Sequence, residues 1–174
     1  MKGLIHIYTG NGKGKSTAAA GLAIRFAGMG GKVVFAQFMK TNKTSEFKVM
    51  QEVDNIDFYL PDRSFGFSFK MTEEKKAEAA AYYPGYLKAA FDHAVAAKAG
   101  LLVLDEVINA DRKGFLDHEA LVQLLKDKPE DMEVVMTGRK PAEDLVALSD
   151  YVSSIEMVKH PYTEGVPARK GIEF

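Results

Sequence analysis

Cysteine is absent from the 174-residue chain. Disulfides, thiolate-held zinc, iron–sulfur clusters and cysteine nucleophiles are excluded together. The four histidines, His6, His93, His118 and His160, show no i,i+4 pairing, so no metal site built from two histidines on one helix is visible. No apolar run approaches the ~18 residues that would cross a bilayer. Met1 to Tyr8 is too short and too polar for a signal peptide, which makes the cytoplasm the expected location and a membrane partner unexpected. Charge of one sign is not in excess: 23 Lys+Arg stand against 24 Asp+Glu, a net charge of -1. That balance argues against a nucleic-acid partner bound through a basic surface. No repeat, low-complexity tract or Pro/Gly/Ser-rich linker divides the chain, so residues 1–174 are expected to form a single domain. A hydrophobic fraction of 47% with 27% charged residues excludes disorder over most of the length.

What is present is an alternation. Leu4–Tyr8 is a β-type run that leads straight into a glycine-rich turn. Ser16 to Ala27 has a helical composition, rich in Ala and Leu, and Gly28, Gly30 and Gly31 stop it. Lys32–Phe38 is a mostly apolar strand, as expected for one covered on both faces. A short helix over 45–53 and a strand over 56–60 follow. Thr72 has the character of an N-cap, with Glu73 and Glu74 at the positive end of the next helix. Pro84 is expected to interrupt that helix and start a second one, reaching about Lys98. Leu101–Leu104 is a buried strand by composition. Asp117 caps a helix ending near Lys126. Strands over 133–136 and 152–157 flank a short helix over 141–148. Such alternation predicts an α/β, three-layer fold with a mainly parallel central sheet. Ligands of these sheets sit beyond the carboxyl ends of the strands, which directs attention to Gly10–Ser16, Asp105–Glu106 and Thr137–Arg139.

Thr9-Gly10-Asn11-Gly12-Lys13-Gly14-Lys15-Ser16-Thr17 lies between a strand and an alanine-rich helix. That is the context of a phosphate-binding P-loop. Glycines let the backbone wrap with its N–H groups inward, and the helix N-terminus adds partial positive charge. Lys15 supplies a full charge to phosphate oxygens, and the Ser16 hydroxyl can ligate Mg²⁺. Thr9 stands where the strict pattern has glycine; Gly10 and Gly12 beside it supply the freedom. The bland alternative is a connecting turn, which rarely ends in Gly-Lys-Ser at a strand–helix junction.

Leu101–Glu106 is an apolar strand ending in two acids, of which Asp105 or Glu106 could orient a metal ion opposite the P-loop hydroxyl. Alone the pair reads equally as a solvated strand end. Arg139 could reach a phosphate tail bidentately or form a surface salt bridge. Phe65, Phe67 and Phe69 alternate and would share one face of an extended segment. Gly66 and Ser68 are poor strand formers, so an aromatic face for a large, flat apolar substrate competes with simple packing.

The ordered set resembles the P-loop class of cob(I)alamin, or corrinoid, adenosyltransferases of the CobA/BtuR type. The likeness covers nearly the whole chain. It includes Gly3–Thr9 before the loop, Gly31–Val34, Gln37-Phe38, Gly66–Phe69, Val103–Glu106, Thr137–Arg139, Val158–Tyr162, Gly165-Val166 and Gly171–Phe174. The resemblance implies transfer of the 5′-deoxyadenosyl group of ATP to cobalt(I) of a reduced corrinoid, with release of triphosphate and dependence on Mg²⁺ or Mn²⁺. It implies a nucleotide lying reversed in the loop, so that C5′ faces the cobalt. Lys15, Glu106 and Arg139 would then be catalytic. ATP would be held by Gly10, Asn11, Gly12, Lys13, Gly14, Lys15, Ser16, Thr17, Arg25 and Arg139. Ser16 and Glu106 would hold the metal, with Asp105 beside them. Phe67 and Phe69 would contact the corrinoid and displace its lower axial ligand. Ser16 stands where threonine is usual, and Phe69 where some members carry tryptophan. The resemblance also implies a homodimer and allows a flavoprotein electron donor. The competing classes are a small-molecule P-loop kinase and a nucleotide-dependent ATPase or switch module. No arginine-bearing lid for the first is apparent. Asn42-Lys43-Thr44-Ser45 lacks the aspartate of a guanine-reading switch.

Overall fold

A computed structural model describes residues 2–40, 45–65 and 71–173. The strands are β1 (Ile5–Thr9), β2 (Val33–Gln37), β3 (Ile56–Tyr59), β4 (Leu101–Asp105), β5 (Glu133–Thr137) and β6 (Tyr151–Ser154). The helices are α1 (Lys15–Gly28), α2 (Ser45–Met50), α3 (Glu73–Ala96), α4 (Val107–Arg112), α5 (His118–Lys126) and α6 (Glu143–Leu148). They build a six-stranded sheet in the order β3-β2-β4-β5-β1-β6, and every adjacent pair is parallel. The three-layer α/β expectation is met.

Side-chain alternation explains the layering. Val33, Phe35, Leu101, Val103 and Val135 face one way and cluster with Ala19, Ala20, Ala23 and Ala27 of α1. Val34, Ala36, Leu102, Leu104, Val134 and Met136 face the other way, into the core built with α3. The small alanines let α1 lie close on its sheet face. Since both faces are covered, β2 and β4 are buried along their whole length, as parallel strands require. β1 and β4 are separated by β5, so the P-loop and the paired acids emerge at the same sheet edge with Thr137 between them.

One expectation is corrected. Pro84 neither ends nor restarts a helix; α3 runs unbroken for 24 residues around it. Proline removes one i→i−4 bond and costs about 3 kcal/mol in a helix interior. Here Ala79 and Tyr83 before it, and Tyr86, Leu87, Ala90, Phe91 and Ala94 after it, are all buried on the same core. Burial of large side chains outweighs that cost, at about 1.5–3 kcal/mol each. Thr72 caps α3 by accepting from Lys75 N at 3.3 Å, and Asp117 caps α5 by accepting from Ala120 N at 3.2 Å. α4, directly after Glu106, is an element that hydropathy did not reveal.

His118, at the start of α5, ties two other helices together. Its Nδ1 lies 3.0 Å from Asp111 Oδ2 on α4, and its Nε2 lies 2.8 Å from Asp144 Oδ2 on α6. The hydrogen bond to Asp144, then that to Asp111, hold its pKa above the ordinary 6.5. A histidine whose folded pKa is raised stabilises fully below its unfolded value, and that stability is lost as pH rises through the folded one. His118→Ala should therefore lower Tm at pH 5.5 more than at pH 9. Equal shifts in a thermal melt at the two pH values would show that the charge contributes nothing.

Candidate active site

Backbone geometry builds the loop first. Gly10 and Gly14 sit at φ 99° and 123°, values that L side chains avoid. Gly12 is required for a different reason. A Cβ there would lie 2.6 Å from Glu156 O, on the segment leaving β6. That segment is bonded to the loop: Ile155 N donates to Thr9 O at 2.9 Å, and Gly12 N donates to Ile155 O at 2.7 Å. Gly14 ends the loop and α1 begins at Lys15, so the helix N-terminus opens onto the cleft with its partial positive charge.

The cleft has a volume of about 690 Å³, and its floor is Asn11 to Thr17. Glu106 and Arg139 also line it. Gly10, expected to bind ATP, is not among the lining residues; a Cβ on it would collide with Ile155 O. Arg25 does not line this cleft; it is exposed in the last turn of α1, roughly 15 Å along the helix from Lys15 at 1.5 Å per residue. Phe67 and Phe69 lie outside the described residues. Phe65 turns inward instead: it is buried, 5.6 and 5.5 Å from the Tyr82 and Tyr83 rings.

Lys15 is buried, and its Nζ donates to Gly12 O at 2.7 Å. Burial and then the nearby Arg139 hold its pKa below the usual lysine value. A cation in this setting gains most from an incoming anion. Asp105 is fully buried, accepting from Thr137 Oγ1 at 2.7 Å through Oδ1 and from Gln37 Nε2 at 3.4 Å through Oδ2. Thr137 Oγ1 also accepts from Glu106 N at 2.8 Å, so one hydroxyl aligns both acids. Glu106 adopts φ 66°, which turns its side chain off the strand and onto the cleft wall. Asn109 Nδ2 donates to Glu106 Oε2, and Asn109 Oδ1 accepts from Arg139 N at 2.9 Å. Burial first, then the Asp105 charge, push the Glu106 carboxyl up.

A residue that sequence reasoning passed over stands at the centre. Lys40 Nζ lies 2.6 Å from Asp105 Oδ2 and 2.8 Å from Ser16 Oγ. Its signal was position: it follows β2, another strand ending at this edge, next to β4. The last residues also reach the loop. Lys13 Nζ is 3.3 Å from Glu173 Oε1, and Gly171, Ile172 and His160 line the cleft. Arg169 pairs with the same carboxylate at 3.1 Å and helps to hold its pKa down to about 2.

The chain can be set beside known proteins. The family described as ATP:corrinoid adenosyltransferase BtuR/CobO/CobP matches residues 1–174. A corrinoid adenosyltransferase of Escherichia coli K12 is 33% identical over 99% of this chain and 86% of its own length. One from Salmonella typhimurium is 32% identical with the same coverage, and one from a Sinorhizobium species is 33% identical over 99% of this chain and 81% of its own. Among solved structures, a KaiC-like protein of Pyrococcus horikoshii is similar at a TM-score of 0.52. It is 15% identical, with 91% of this chain and 75% of that one covered, a likeness of fold alone.

Proposed function

Because the chain belongs to the ATP:corrinoid adenosyltransferase family, whose members transfer the adenosyl group of ATP to a corrinoid, we propose that the cleft between the glycine loop and Glu106 is where this chain carries out that transfer. The observation that carries the reading is convergence. Lys15 and Ser16 from the loop, Glu106 directly after β4 and Arg139 beyond β5 line one cleft of about 690 Å³, and Asp105 at the end of β4 is tied to it through Lys40, which bonds both Asp105 and Ser16.

In this reading the triphosphate lies along Gly12 to Thr17. Cobalt(I) of the corrinoid substrate attacks C5′ with its electron pair. The cobalt–carbon bond forms as the C5′–O bond breaks, and the oxygen leaves with triphosphate. The departing group gains charge at the bridging oxygen. Lys15 and the helix N-terminus sit where they can stabilise it, with Arg139 across the cleft. Asn11 and Lys13 flank the same anion. Ser16, Asp105 and Glu106 fit a divalent cation, Mg²⁺ or Mn²⁺, because a hydroxyl and the Asp105 carboxylate already converge on one positive group and the Glu106 carboxylate lines the same cleft. When bound, that ion neutralises charge on the polyphosphate. Phe67 and Phe69 are the proposed corrinoid contacts. Phe67→Ala should slow turnover from cobalt(II) corrinoid more than from chemically reduced cobalt(I), since an apolar face cannot donate a lone pair to cobalt. Equal losses in the two anaerobic assays would remove the axial-ligand role. A homodimer and a flavoprotein electron donor are further expectations, open to sedimentation and to reconstitution with a reduced flavoprotein.

The deciding experiment is an anaerobic assay with ATP, Mg²⁺ and cob(I)alamin, following the corrinoid spectrum and the phosphate product. A light-sensitive cobalt–carbon product with stoichiometric triphosphate supports the reading. ADP with no change at cobalt would replace it by a kinase or ATPase reading.

A further inference from the structure

We propose that Lys40 is the resident cation of the nucleotide-free cleft: its ammonium occupies the divalent-metal position between Ser16 and Asp105, and binding of the metal–nucleotide complex displaces it. This rests on reading Ser16, Asp105 and Glu106 as the metal position.

The geometry is the starting point. The ammonium contacts Asp105 Oδ2 at 2.6 Å and Ser16 Oγ at 2.8 Å. These are oxygens of two of the three residues assigned to the metal position. An ammonium and a divalent ion cannot share that point, because two cations at contact distance repel and the oxygens are already engaged. Leaving a fully buried carboxylate without a counter-charge is costly. Asp105 is fully buried, so a cation beside it is favoured. In the free chain that cation is Lys40.

The chain is built to deliver it. β2 ends at Gln37. Phe38 N then donates to Asp105 O at 2.8 Å, and Met39 N donates to Tyr83 Oη at 3.0 Å. Met39 takes φ 56°, a left-handed conformation that a non-glycine residue holds only when its surroundings enforce it. The turn sends Lys40 back over the sheet edge instead of onward with the chain. Lys40 also lines the cleft, and its side chain is 22% exposed. Its flexible four-carbon stem therefore has an exit into the space where the polyphosphate would lie. Once displaced, the ammonium remains within reach of phosphate oxygens and exchanges one anionic partner for another. The charge at Asp105 is met before and after nucleotide binds. An empty, metal-hungry site is never exposed in the free chain.

The test uses the full chain without nucleotide. Mn²⁺ is titrated and followed by electron paramagnetic resonance, and Tm is read with and without Mg²⁺. The wild-type chain should bind Mn²⁺ weakly, with no Tm shift from Mg²⁺. Lys40→Met, which keeps the apolar stem, should bind Mn²⁺ about tenfold tighter or more. Its Tm should fall in chelator and recover when Mg²⁺ is added, a recovery that a merely structural lysine would not show. Lys40→Met/Asp105→Asn, with neither charge, should fold without Mg²⁺ and lose the gain in Mn²⁺ affinity. Unchanged Mn²⁺ affinity in Lys40→Met overturns the exchange, as does a variant that stays unfolded at every Mg²⁺ level. The underlying metal reading fails separately: it falls if Asp105→Asn and Glu106→Gln leave Mn²⁺ affinity of the ATP-loaded chain unchanged.

Discussion

Lys15→Ala is expected to lower kcat/KM for adenosyl transfer by about 10³-fold or more while leaving a folded protein. Two observations set the expectation. The Lys15 ammonium is buried at the floor of the cleft, bonded to Gly12 O at 2.7 Å. Burial and the nearby Arg139 charge depress its pKa, so in the free chain the ionised form is held at a cost. The same surroundings make it a strong partner for a polyphosphate that arrives with excess negative charge. Alanine removes the charge that would face the departing triphosphate but leaves the glycine turns and their staples to Ile155 in place. The fold should therefore lose little, since Lys15 makes no ion pair among the described residues. A thermal melt separates the two effects, and triphosphate release measures the first. Near-wild-type release by a folded Lys15→Ala chain would remove this lysine from the mechanism.

The loop was legible because its chemistry is local. Glycines, a lysine and a hydroxyl within eight residues, between a strand and a helix, specify a backbone shape and a charge without tertiary information. The paired acids were legible as a strand end but ambiguous in role. The difference between them is a tertiary matter: Asp105 is turned beneath Thr137, while the left-handed backbone of Glu106 carries its side chain onto the wall. Lys40 shows what stayed hidden. Only its position after a strand marks the lysine of Phe38-Met39-Lys40 apart from other surface lysines. Its place depends on Tyr83, 43 positions further along the chain from Lys40, and on Asp105, 65 positions away. Pro84 failed as a signal for the opposite reason. Its local preference is strong, but buried aromatic and aliphatic residues on both sides of it set the helix. Only the resemblance assigns Arg25 to the nucleotide site, although helical rise from Lys15 already sets it roughly 15 Å along α1. The whole-chain resemblance succeeded because it sums many weak pieces in order, most of which individually fit other proteins.

Glu106→Gln should give a protein that is more stable in metal-free buffer and nearly inactive. The carboxyl of Glu106 sits close to Asp105 in a buried setting, and burial followed by the Asp105 charge raises its pKa. The sign follows from proton binding. Between the ordinary value of 4.5 and the raised folded value, the folded chain holds more proton than the unfolded one. Stability therefore falls as pH rises through that window, and the loss is complete above the folded value. Glutamine has no charge to bury and can still accept from Asn109 Nδ2, the bond made by Glu106 Oε2. With chelator present, the variant should match the wild-type stability near pH 4 and exceed it at pH 7.5 by roughly 0.5–2 kcal/mol, read as a higher Tm. Adenosyl transfer should fall about 10²–10³-fold, because the anion proposed to help hold the metal would be gone. The two changes together distinguish a charge kept for function from one kept for structure. A Tm that drops at pH 7.5 would mean that Glu106 is satisfied in the fold and its wall position is structural. A stable variant with full activity at saturating Mg²⁺ would leave Asp105 and Ser16 as the protein's metal ligands.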